Sequence, residues 1–539
     1  MSSENPAILR RTFLGAMAGA AATGWGAGAP GAAAEPQPQP NVLFIMTDQQ
    51  RADCIAALGN GHIYTPNMDR LVKRGVAFTN GYSTCPVCVP ARYTIRTGCE
   101  PHTTGIYHNG QPDLVPEQAQ GMEERCGPYL ARTMAQLGYR TFGMGKFHTS
   151  PRNEDVGFET HLHSEEMYGS QEDRARDAYA AFIANEHPQF NYIEDFMGER
   201  SAHYYVPQTA LLPPELTVES WAADRAVELI RANDPRPYFG FVSFVGPHPP
   251  IAPPVPFNRM YDPDAMPSPV RGEAAVDHMD EQIPWMNHAV WAEDINDSLA
   301  RKIRARYYGK ISHIDQCLGR ILDAVEARGD ADNTVIVFYS DHGDHLGDHN
   351  GWQKESFFDM SCRVPYLVSW PARLPAGQTN DALVCLTDLF GIATGAAGSF
   401  DLRQGIHVLG MYTSGAHVRQ HLIGLYGIPG TPRFKIMVRE KHWKYIYFAN
   451  GAREQLFNVS EDPMELRQRV ADAPDVAKRL REVAVEACKR PNVDRALDSG
   501  GLRAFPFEAR PLRRILQFDR SRGVTGFPKH PSETVGLHT

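Results

Sequence analysis

Four short apolar runs in this chain are each followed by side chains that can bind ligands or transfer protons. The runs are residues 41–46, 139–144, 238–245 and 334–339. The first run is continuous after Asn41, as is typical of a strand that is buried on both faces of a parallel sheet. The others, two of which polar residues such as Arg140 and Ser243 interrupt, are predicted to be strands as well. The side chains that follow them are Asp48 and Gln49, Lys146 and His148, His248, and Asp341 and His342. Because ligands in α/β folds bind at the carboxyl ends of parallel strands, we expect these side chains to share one site.

Helices are predicted between these strands and after the last of them. The predicted ranges are 67–75, 130–137, 217–232, 303–325 and 386–394. The fourth is the clearest, because its apolar residues are spaced four and three apart and so mark one face of a long helix. Two further strands are predicted over 76–80 and 364–370. This alternation of strands and helices predicts an α/β fold class.

The stretch from Cys85 to Gly98 predicts a short helix with a reactive atom at its start. Pro90 suits the first turn of a helix, and Gly98 suits its end. Cys88 then lies at the helix N-terminus, where free amides and the helix dipole favour an anion. Arg92 lies one turn along on the same face and offers a planar fork of donors. The stretch therefore directs a thiol, a helix N-terminus and a guanidinium towards one anionic group.

The spacing of this stretch matches a known signature. Cys88-x-Pro90-x-Arg92, followed by Thr97-Gly98, resembles the motif of the type I, formylglycine-dependent sulfatases of the alkaline phosphatase superfamily, although Ala91 stands where Ser is commonest. Further matches are Gly145-Lys146-x-His148, Pro247-His248, Asp341-His342-Gly343 and Lys354. The resemblance covers roughly residues 41–489. It implies an alkaline-phosphatase-like α/β sandwich with a mainly parallel central sheet and a smaller C-terminal α+β domain.

The resemblance also implies which residues form the site. Those implied to hold one divalent cation are Asp48, Gln49, Asp341 and His342. Gln49 is either a ligand through its carbonyl or only a neighbour of the ligands. Those implied to act on the substrate are Cys88, Arg92, Lys146, His148, His248 and Lys354. Oxygen-rich ligands favour Ca²⁺ or Mg²⁺ and a histidine also admits Mn²⁺, and we expect Ca²⁺.

The implied chemistry is attack on the sulfur of a sulfate ester. In this family the cysteine is oxidised to formylglycine, whose hydrated aldehyde is the nucleophile. By this resemblance, Arg92 and His148 would hold the hydrate, and Lys146 and Lys354 would bind the sulfate oxygens. His248 would protonate the leaving oxygen. The expected substrates are small-molecule or carbohydrate sulfate esters, and aryl, carbohydrate and choline sulfates all fit.

Other interpretations of the same residues stay open. Cys85 and Cys88 form a Cys-x-x-Cys pair, as in thiol oxidoreductases or in half of a zinc site, but the other cysteines are scattered singly. The nearest alternative function is a phosphonate monoester or phosphodiester hydrolase on the same site. A non-catalytic protein that binds a sulfate ligand is a further alternative. The oligomeric state and any pairing of cysteines are left open.

The start of the chain resembles an export signal. Arg10 and Arg11 precede a mildly apolar Ala/Gly run, a pattern similar to a twin-arginine signal. We therefore expect a signal peptide over residues 1–34, a spacer over 35–40, and a periplasmic or secreted protein. The expected partners are the twin-arginine export machinery and, from the resemblance, a formylglycine-generating enzyme. Glycines interrupt the apolar run, which makes it a poor membrane anchor.

Composition and periodicity suggest how the rest of the chain is divided. The formal charge of the 539 residues is −9 and no long basic run occurs, which argues against a nucleic-acid partner.

Antiparallel strands are predicted over 434–439, 443–448 and 455–458, with helical sequence from 463 towards 489. We therefore expect a catalytic domain over 41–415 and a smaller domain with a tail over 416–539. Residues 151–214 and 256–297 lack clear periodicity and are interpreted as insertions near the cleft or as solvated loops.

Overall fold

The computed structural model describes residues 38–110, 121–152, 154–165, 171–197, 204–273, 276, 279–413, 415 and 418–515. The predicted signal peptide, residues 35–37 of the spacer and the tail beyond residue 515 lie outside the described residues. The strands β1 to β14 are Asn41–Asp48, Val76–Tyr82, Arg140–Gly145, Thr160–His163, Tyr238–Pro247, Thr334–Ser340, Tyr366–Ser369, Gln378–Cys385, Leu422–Tyr426, Lys435–Arg439, Trp443–Phe448, Arg453–Asn458, Leu497–Asp498 and Gly501–Leu502. The helices α1 to α15 are Pro66–Arg74, Cys88–Thr97, Pro101–Thr104, Met122–Cys126, Leu130–Gln136, Gln171–Ala175, Ala178–Glu186, Asn191–Met197, Val218–Arg231, Gln282–Ala289, Asp297–Arg328, Asp359–Cys362, Asp388–Ala396, Gly410–Thr413 and Pro474–Cys488.

The first eight strands form one sheet, in the order β4-β3-β5-β1-β6-β7-β2-β8. Every neighbouring pair is parallel except the two that β7 makes, with β6 and with β2. This confirms the mainly parallel central sheet. The sequence gives no sign of β8, because the first half of that strand is Gln-Thr-Asn-Asp and lies largely exposed.

Strand β1 shows how the sheet is covered on both sides. Leu43 and Ile45 pack in a core with residues of α1, α9 and α11. Val42, Phe44 and Met46 pack in a second core with residues of α2, α5 and α13. Because successive side chains of a strand point to opposite faces, the sheet lies between two layers of helices. This is the α/β sandwich that the resemblance implies.

The long helix α11 extends beyond the predicted range at both ends. It begins after Asn296, whose side chain accepts a hydrogen bond from Leu299 N at 2.9 Å, and it ends at Gly329 with φ 83°. The apolar periodicity starts only at Ile303 because the first turn is polar and partly exposed. The buried face of the helix carries Tyr307 behind the carboxyl end of β1.

The strands β9 to β12 form a second, antiparallel sheet in the order β12-β11-β10-β9. Helix α15 packs on it through Leu480 and Ala484. The three predicted strands are present, and β9 is additional. Helix α15 begins at Pro474 rather than near residue 463, because the Asp462 carboxylate accepts a hydrogen bond from Arg467 N at 2.8 Å and holds a turn there. The domain boundary at residues 415 and 416 stays a prediction.

The two stretches without clear periodicity contain regular elements where the structure describes them. Strand β4 extends the central sheet beside β3, and α7 follows with Asp177 as its N-cap. Helix α10 lies in the second stretch. These elements have four to nine residues, too few for a periodic pattern to stand out. Among the described helices, none is both long and apolar enough to cross a membrane.

Candidate active site

The carboxyl ends of four neighbouring strands meet at one edge of the central sheet. Strands β3, β5, β1 and β6 lie side by side and run parallel. Asp48 ends β1, Lys146 follows β3, His248 follows β5, and Asp341 follows β6. Parallel pairing therefore brings these residues to the same edge of the sheet, as the apolar runs predict.

The helix predicted at the cysteine motif is α2, and Cys88 is its first residue. The helix ends at Gly98, which has the left-handed φ of 67° that favours glycine. The Cys88 thiol is buried and lies 3.1 Å from His342 Nε2 and 3.9 Å from Asp48 Oδ1. The reactive position thus faces the ends of β1 and β6.

Two buried cations balance the Asp48 carboxylate. Asp48 Oδ2 lies 2.8 Å from Arg92 Nη2 and 2.6 Å from Lys146 Nζ. Arg92 also donates to Asp341 Oδ2 and to Ser243 Oγ, each at 3.0 Å. All these side chains are buried. Arg92 therefore holds the two carboxylates side by side, in addition to the contact with the reactive group that the resemblance implies.

The two carboxylates differ in their electrostatic surroundings. Burial raises the pKa of Asp48, but the nearby positive groups, Lys146 first, outweigh burial and hold that pKa well below its ordinary value. Burial, and then the charge of Asp48, raise the pKa of Asp341 despite Arg92. Burial also raises the pKa of the Cys88 thiol to about 12. Asp48 is thus the firmly ionised carboxylate, and Asp341 is the one that more readily takes up a proton.

Gln49 links Asp341 and Asp344 to Lys354. Its Oε1 accepts a hydrogen bond from Lys354 Nζ at 2.7 Å, and its Nε2 donates to Asp344 Oδ2 at 2.6 Å. Its backbone N–H donates to Asp341 Oδ1 at 3.1 Å, and its carbonyl accepts from Tyr307 OH at 2.6 Å. The backbone of Gln49 has φ 68°, which these contacts maintain. The amide is thus oriented with its carbonyl oxygen towards the Lys354 ammonium.

The two predicted histidines at the edge of the site have different neighbours. His248 Nδ1 lies 2.6 Å from the Pro249 carbonyl oxygen, so a neutral ring carries its proton on Nδ1, and Nε2 is the nitrogen that gains or loses one. The ring packs edge-on against Tyr204, with centroids 5.5 Å apart. The backbone N–H of His148 donates to Glu165 Oε1 at 2.6 Å. This contact places His148 beside Glu165, at the margin of the site.

The donor atoms at the centre of the site fit one divalent cation. The ligand atoms of Asp48, Cys88, Asp341 and His342 all lie within 4.8 Å of one another. Asp48 Oδ1 is 3.8 Å, and Asp341 Oδ1 is 3.5 Å, from His342 Nε2. The two carboxylate oxygens are thus close to His342 Nε2 without a direct hydrogen bond to it, whereas Cys88 Sγ contacts the same nitrogen at 3.1 Å. Two carboxylates and an imidazole match the ligand preferences of the divalent cations that the resemblance implies.

The acidic and histidine side chains at positions 344–349 contact protein groups and are not part of the candidate metal site. Asp348 pairs with Arg51 at 2.7 Å and with Arg304 at 2.5 Å. His345 Nε2 lies 2.7 Å from Ser356 Oγ. These contacts stabilise the loop after β6. In the part of the chain that the structure describes, no second metal-binding group forms there.

Comparison with known proteins identifies the family. The family model described as Sulfatase matches residues 40–399, which is more than half of the chain. The chain belongs to the sulfatase family. An arylsulfatase of Clostridium perfringens (strain 13 / Type A) is 28% identical over 452 residues, covering 79% of this chain and 89% of that protein. A choline-sulfatase of Rhizobium meliloti (strain 1021) is 28% identical over 449 residues, covering 79% and 81%.

A solved structure gives the same assignment at the level of fold. The phosphonate monoester hydrolase of Agrobacterium radiobacter superposes on this sulfatase with a TM-score of 0.68 and 25% identity, covering 83% of this chain and 95% of that chain. The family model and the two relatives confirm the predicted family and the enzyme class, a sulfuric ester hydrolase. Together with the solved structure, they also confirm the alkaline-phosphatase-like fold and the superfamily.

Sequence reasoning missed buried side chains that stabilise the loops of the candidate site in this sulfatase. Glu219 Oε1 accepts a hydrogen bond from Gly246 N at 2.9 Å, and Oε2 lies 2.7 Å from Lys310 Nζ. This buried pair fixes the loop that carries His248. Lys310 lies on the apolar face of α11 beside Ile314, and a lysine on such a face is the signal that the sequence offered. Ser243 gave no comparable signal.

The two cysteines of the motif do not face each other as a redox pair would. Cys85 Sγ contacts the Tyr107 carbonyl at 3.5 Å, whereas Cys88 Sγ faces His342. Cys85 packs in the core next to the C-terminal sheet. This arrangement disfavours the thiol oxidoreductase interpretation of this sulfatase.

Proposed function

We propose that this protein hydrolyses sulfate monoesters, with residue 88 oxidised to formylglycine and one divalent cation, expected to be Ca²⁺, held by Asp48, Asp341 and His342. The observation that carries the proposal is the convergence of these three ligands on residue 88 at the N-terminus of α2. Gln49 stays a candidate fourth ligand through Oε1, which also accepts from Lys354. When bound, the cation would offset the charge of the ester and favour an alkoxide at residue 88.

Residue 88 supplies the nucleophile in this proposal. Hydrated formylglycine offers one hydroxyl that attacks sulfur and a second that lets the aldehyde form again when sulfate leaves. Asp341 Oδ2 and Asp48 Oδ2 are held by Arg92 at 3.0 and 2.8 Å, so Arg92 orients both carboxylates towards position 88. Asp341 accepts the proton of the attacking hydroxyl through a carboxylate whose Oδ2 is held in place by Arg92.

The remaining residues act on the two ends of the substrate. Lys146 and Lys354 bind the sulfate oxygens. Both side chains are buried, and their ammonium groups contact Asp48 and Gln49 respectively. His248 donates a proton from Nε2 to the leaving oxygen, since its Nδ1 is engaged with the Pro249 carbonyl. His148 holds the hydrate from the margin of the site.

A panel of esters tests this function. The full chain is expressed together with a formylglycine-generating enzyme and is assayed with nitrophenyl, carbohydrate and choline sulfates, a phenylphosphonate monoester and bis(nitrophenyl) phosphate. We expect the highest kcat/KM for a sulfate monoester and loss of that turnover in Cys88→Ala. A higher kcat/KM for the phosphonate or the phosphodiester would refute the proposal.

Phosphonate monoester or phosphodiester hydrolysis is the second candidate. The similarity to the Agrobacterium radiobacter phosphonate monoester hydrolase favours it, because that structure matches over most of both chains. Sulfate ester and phosphonate ester hydrolysis both need buried, positively charged side chains around a tetrahedral anion. The ester panel separates the two candidates directly.

Export before use is a further part of the proposal. The support is the pair Arg10 and Arg11 ahead of an Ala/Gly run, together with the need to modify residue 88 before turnover. The proposed partners are the twin-arginine export machinery and the formylglycine-generating enzyme. Replacing both arginines by lysine should leave active enzyme in the cytoplasm, whereas unchanged export would contradict a twin-arginine signal.

A further inference from the structure

Lys354 and Glu355 are neighbours in the chain, but their side chains reach different parts of the molecule. Lys354 Nζ donates to Gln49 Oε1 at 2.7 Å, in the candidate active site. The Glu355 carboxylate accepts a hydrogen bond from Tyr426 OH at 2.7 Å, in β9 of the second sheet. Gln353 and Glu355 have φ of 71° and 74°, a left-handed conformation that is costly outside glycine. The turn around Lys354 therefore depends on its contacts.

The backbone of Glu355 joins this turn to two other segments. Its N–H donates to the Pro86 carbonyl at 3.1 Å, two residues before Cys88. Its carbonyl accepts a hydrogen bond from Lys435 Nζ in β10, and Lys435 also pairs with Asp280 at 2.5 Å. One residue thus connects the loop before the nucleophile, the Lys354 turn and the second sheet.

The Glu355 carboxylate has a second donor in α10. Gln282 Nε2 donates to Glu355 Oε2, and Gln282 Oε1 accepts in turn from Arg510 Nη1. The Arg510 guanidinium stacks 3.3 Å from the ring centroid of Trp285. Because Glu355 is buried, loss of either donor would leave a poorly solvated carboxylate. Its position is therefore fixed from several sides.

We propose that Glu355 is a positioning residue for Lys354: its contacts with β9, β10 and α10 fix the turn that holds the Lys354 ammonium at the anionic group of the ester. The proposal rests on the proposed function, in which Lys354 binds an ester oxygen. It assigns to the second sheet a role in transition-state binding, exerted through one carboxylate. A misplacement of the ammonium by about 1 Å would suffice to cost on the order of 10²-fold in rate.

A double-mutant cycle tests the proposal. Glu355→Ala, Lys354→Ala and the double variant are compared in kcat/KM on whichever ester of the panel the wild type hydrolyses. We expect Glu355→Ala to lower kcat/KM by about 10- to 100-fold when Lys354 is present. We expect almost no further loss when Lys354 is already absent, because the effect acts through that ammonium. Equal losses in both backgrounds would overturn the proposal.

Two further variants separate positioning from stability. Tyr426→Phe removes one donor to Glu355 and should show the same dependence on Lys354 with a smaller loss. Tyr445→Phe is the matched control, because Tyr445 OH donates to Glu454 Oε1 at 2.5 Å within the same sheet, and no contact described for this hydroxyl reaches the turn. Its kcat/KM should equal that of the wild type.

Glu355→Gln should recover part of the loss, since its amide oxygen still accepts from Tyr426. If Glu355→Ala fails to fold, as judged by thermal unfolding, the cycle with Tyr426→Phe decides the same question. A wild type that hydrolyses only phosphonate esters would contradict the proposed function and leave the coupling between Glu355 and Lys354 measurable. An active wild type with additive losses would contradict the positioning role alone.

Discussion

Two of the groups of charged side chains that are buried in the described part of the molecule differ in what their charges face. The junction cluster consists of Asp359, Lys444 and Glu465, between the central sheet and the second sheet. The Lys444 ammonium contacts both carboxylates, one of them Glu465 at 2.5 Å, and the Phe357 carbonyl at 2.9 Å. Its three N–H donors thus have three acceptors.

The site cluster is equally buried but is arranged differently. It consists of Asp48, Cys88, Arg92, Lys146, Asp341 and His342. Here, one oxygen of each carboxylate pairs with Arg92, whereas the other, Oδ1 of Asp48 and of Asp341, lies 3.8 and 3.5 Å from His342 Nε2. The comparison teaches that burial of charge alone does not mark a catalytic site. The convergence of one oxygen from each carboxylate and an imidazole nitrogen is what suits the site cluster to hold an added cation.

The largest expected effect comes from breaking that convergence. Asp341→Asn keeps the shape of the side chain but removes a charged ligand. We expect it to lose the bound metal and on the order of 10³-fold or more in kcat/KM, since a metal stabilises transition-state charge by several kcal/mol. Elemental analysis and kinetics measure both. Glu465→Gln, in the junction cluster, should keep its metal and its activity per folded molecule, and equal losses in the two variants would contradict the comparison.

His248 tests whether the site cluster acts on the leaving group. A general acid is worth roughly 10²–10⁴ in rate, but only where the leaving group needs a proton. His248→Ala should therefore slow an alkyl or carbohydrate sulfate far more than a nitrophenyl sulfate. Lys354→Met removes an ammonium group that binds the sulfate and not the leaving group, so it should slow both esters alike. If His248→Ala slows both esters equally, His248 binds sulfate and the donor lies elsewhere, with His148 the first candidate.

Breaking the junction cluster should change stability instead of chemistry. Lys444→Met leaves two buried carboxylates without their cation, and we expect the free energy of unfolding to fall by about 3–5 kcal/mol. Denaturant unfolding measures it. The control is Arg479→Ala, which removes the exposed pair with Glu440 and should cost about 0–1 kcal/mol. Loss of kcat per folded Lys444→Met molecule would show that the junction cluster serves catalysis directly.

The smallest expected effect is a pH dependence of the junction cluster. Burial raises the pKa of Asp359, but Lys444, Arg363 and Arg439 outweigh it and lower the pKa from 3.8 to about 2. A lowered carboxyl pKa adds stability above the unfolded value, and that stability disappears as the pH falls. The stability difference between wild type and Asp359→Asn should shrink by about 2 kcal/mol between pH 4 and pH 2. Glu465, whose pKa burial raises, acts in the opposite direction above its ordinary value of 4.5. A difference that stays constant over this range would contradict the lowered pKa.

The sequence predicts the parts of the site that sit at element ends. Asp48 ends an apolar strand, Asp341 follows another, and Cys88 begins the helix that has Pro90 in its first turn and Gly98 at its end. Local pattern and parallel pairing therefore suffice to bring these residues together. Their roles as ligands and nucleophile stay predictions.

Contacts between distant segments escape such reasoning. Glu355 lies in a turn without periodicity, and its partners Tyr426 and Gln282 are 71 and 73 residues away in the chain. Strand β8 was missed because half of it is polar and exposed. Local pattern specifies elements and their ends, whereas the residues that tie elements together depend on the packed fold.

The mass of the peptide that carries residue 88 tests the central claim most directly. The peptide Gly75–Arg92 is isolated from active enzyme that was made with a formylglycine-generating enzyme, and kcat is measured on the same preparations. We predict an aldehyde oxygen in place of the thiol sulfur at position 88, and a kcat that rises in proportion to the modified fraction. Full sulfatase activity in protein whose Cys88 thiol is intact would contradict the account.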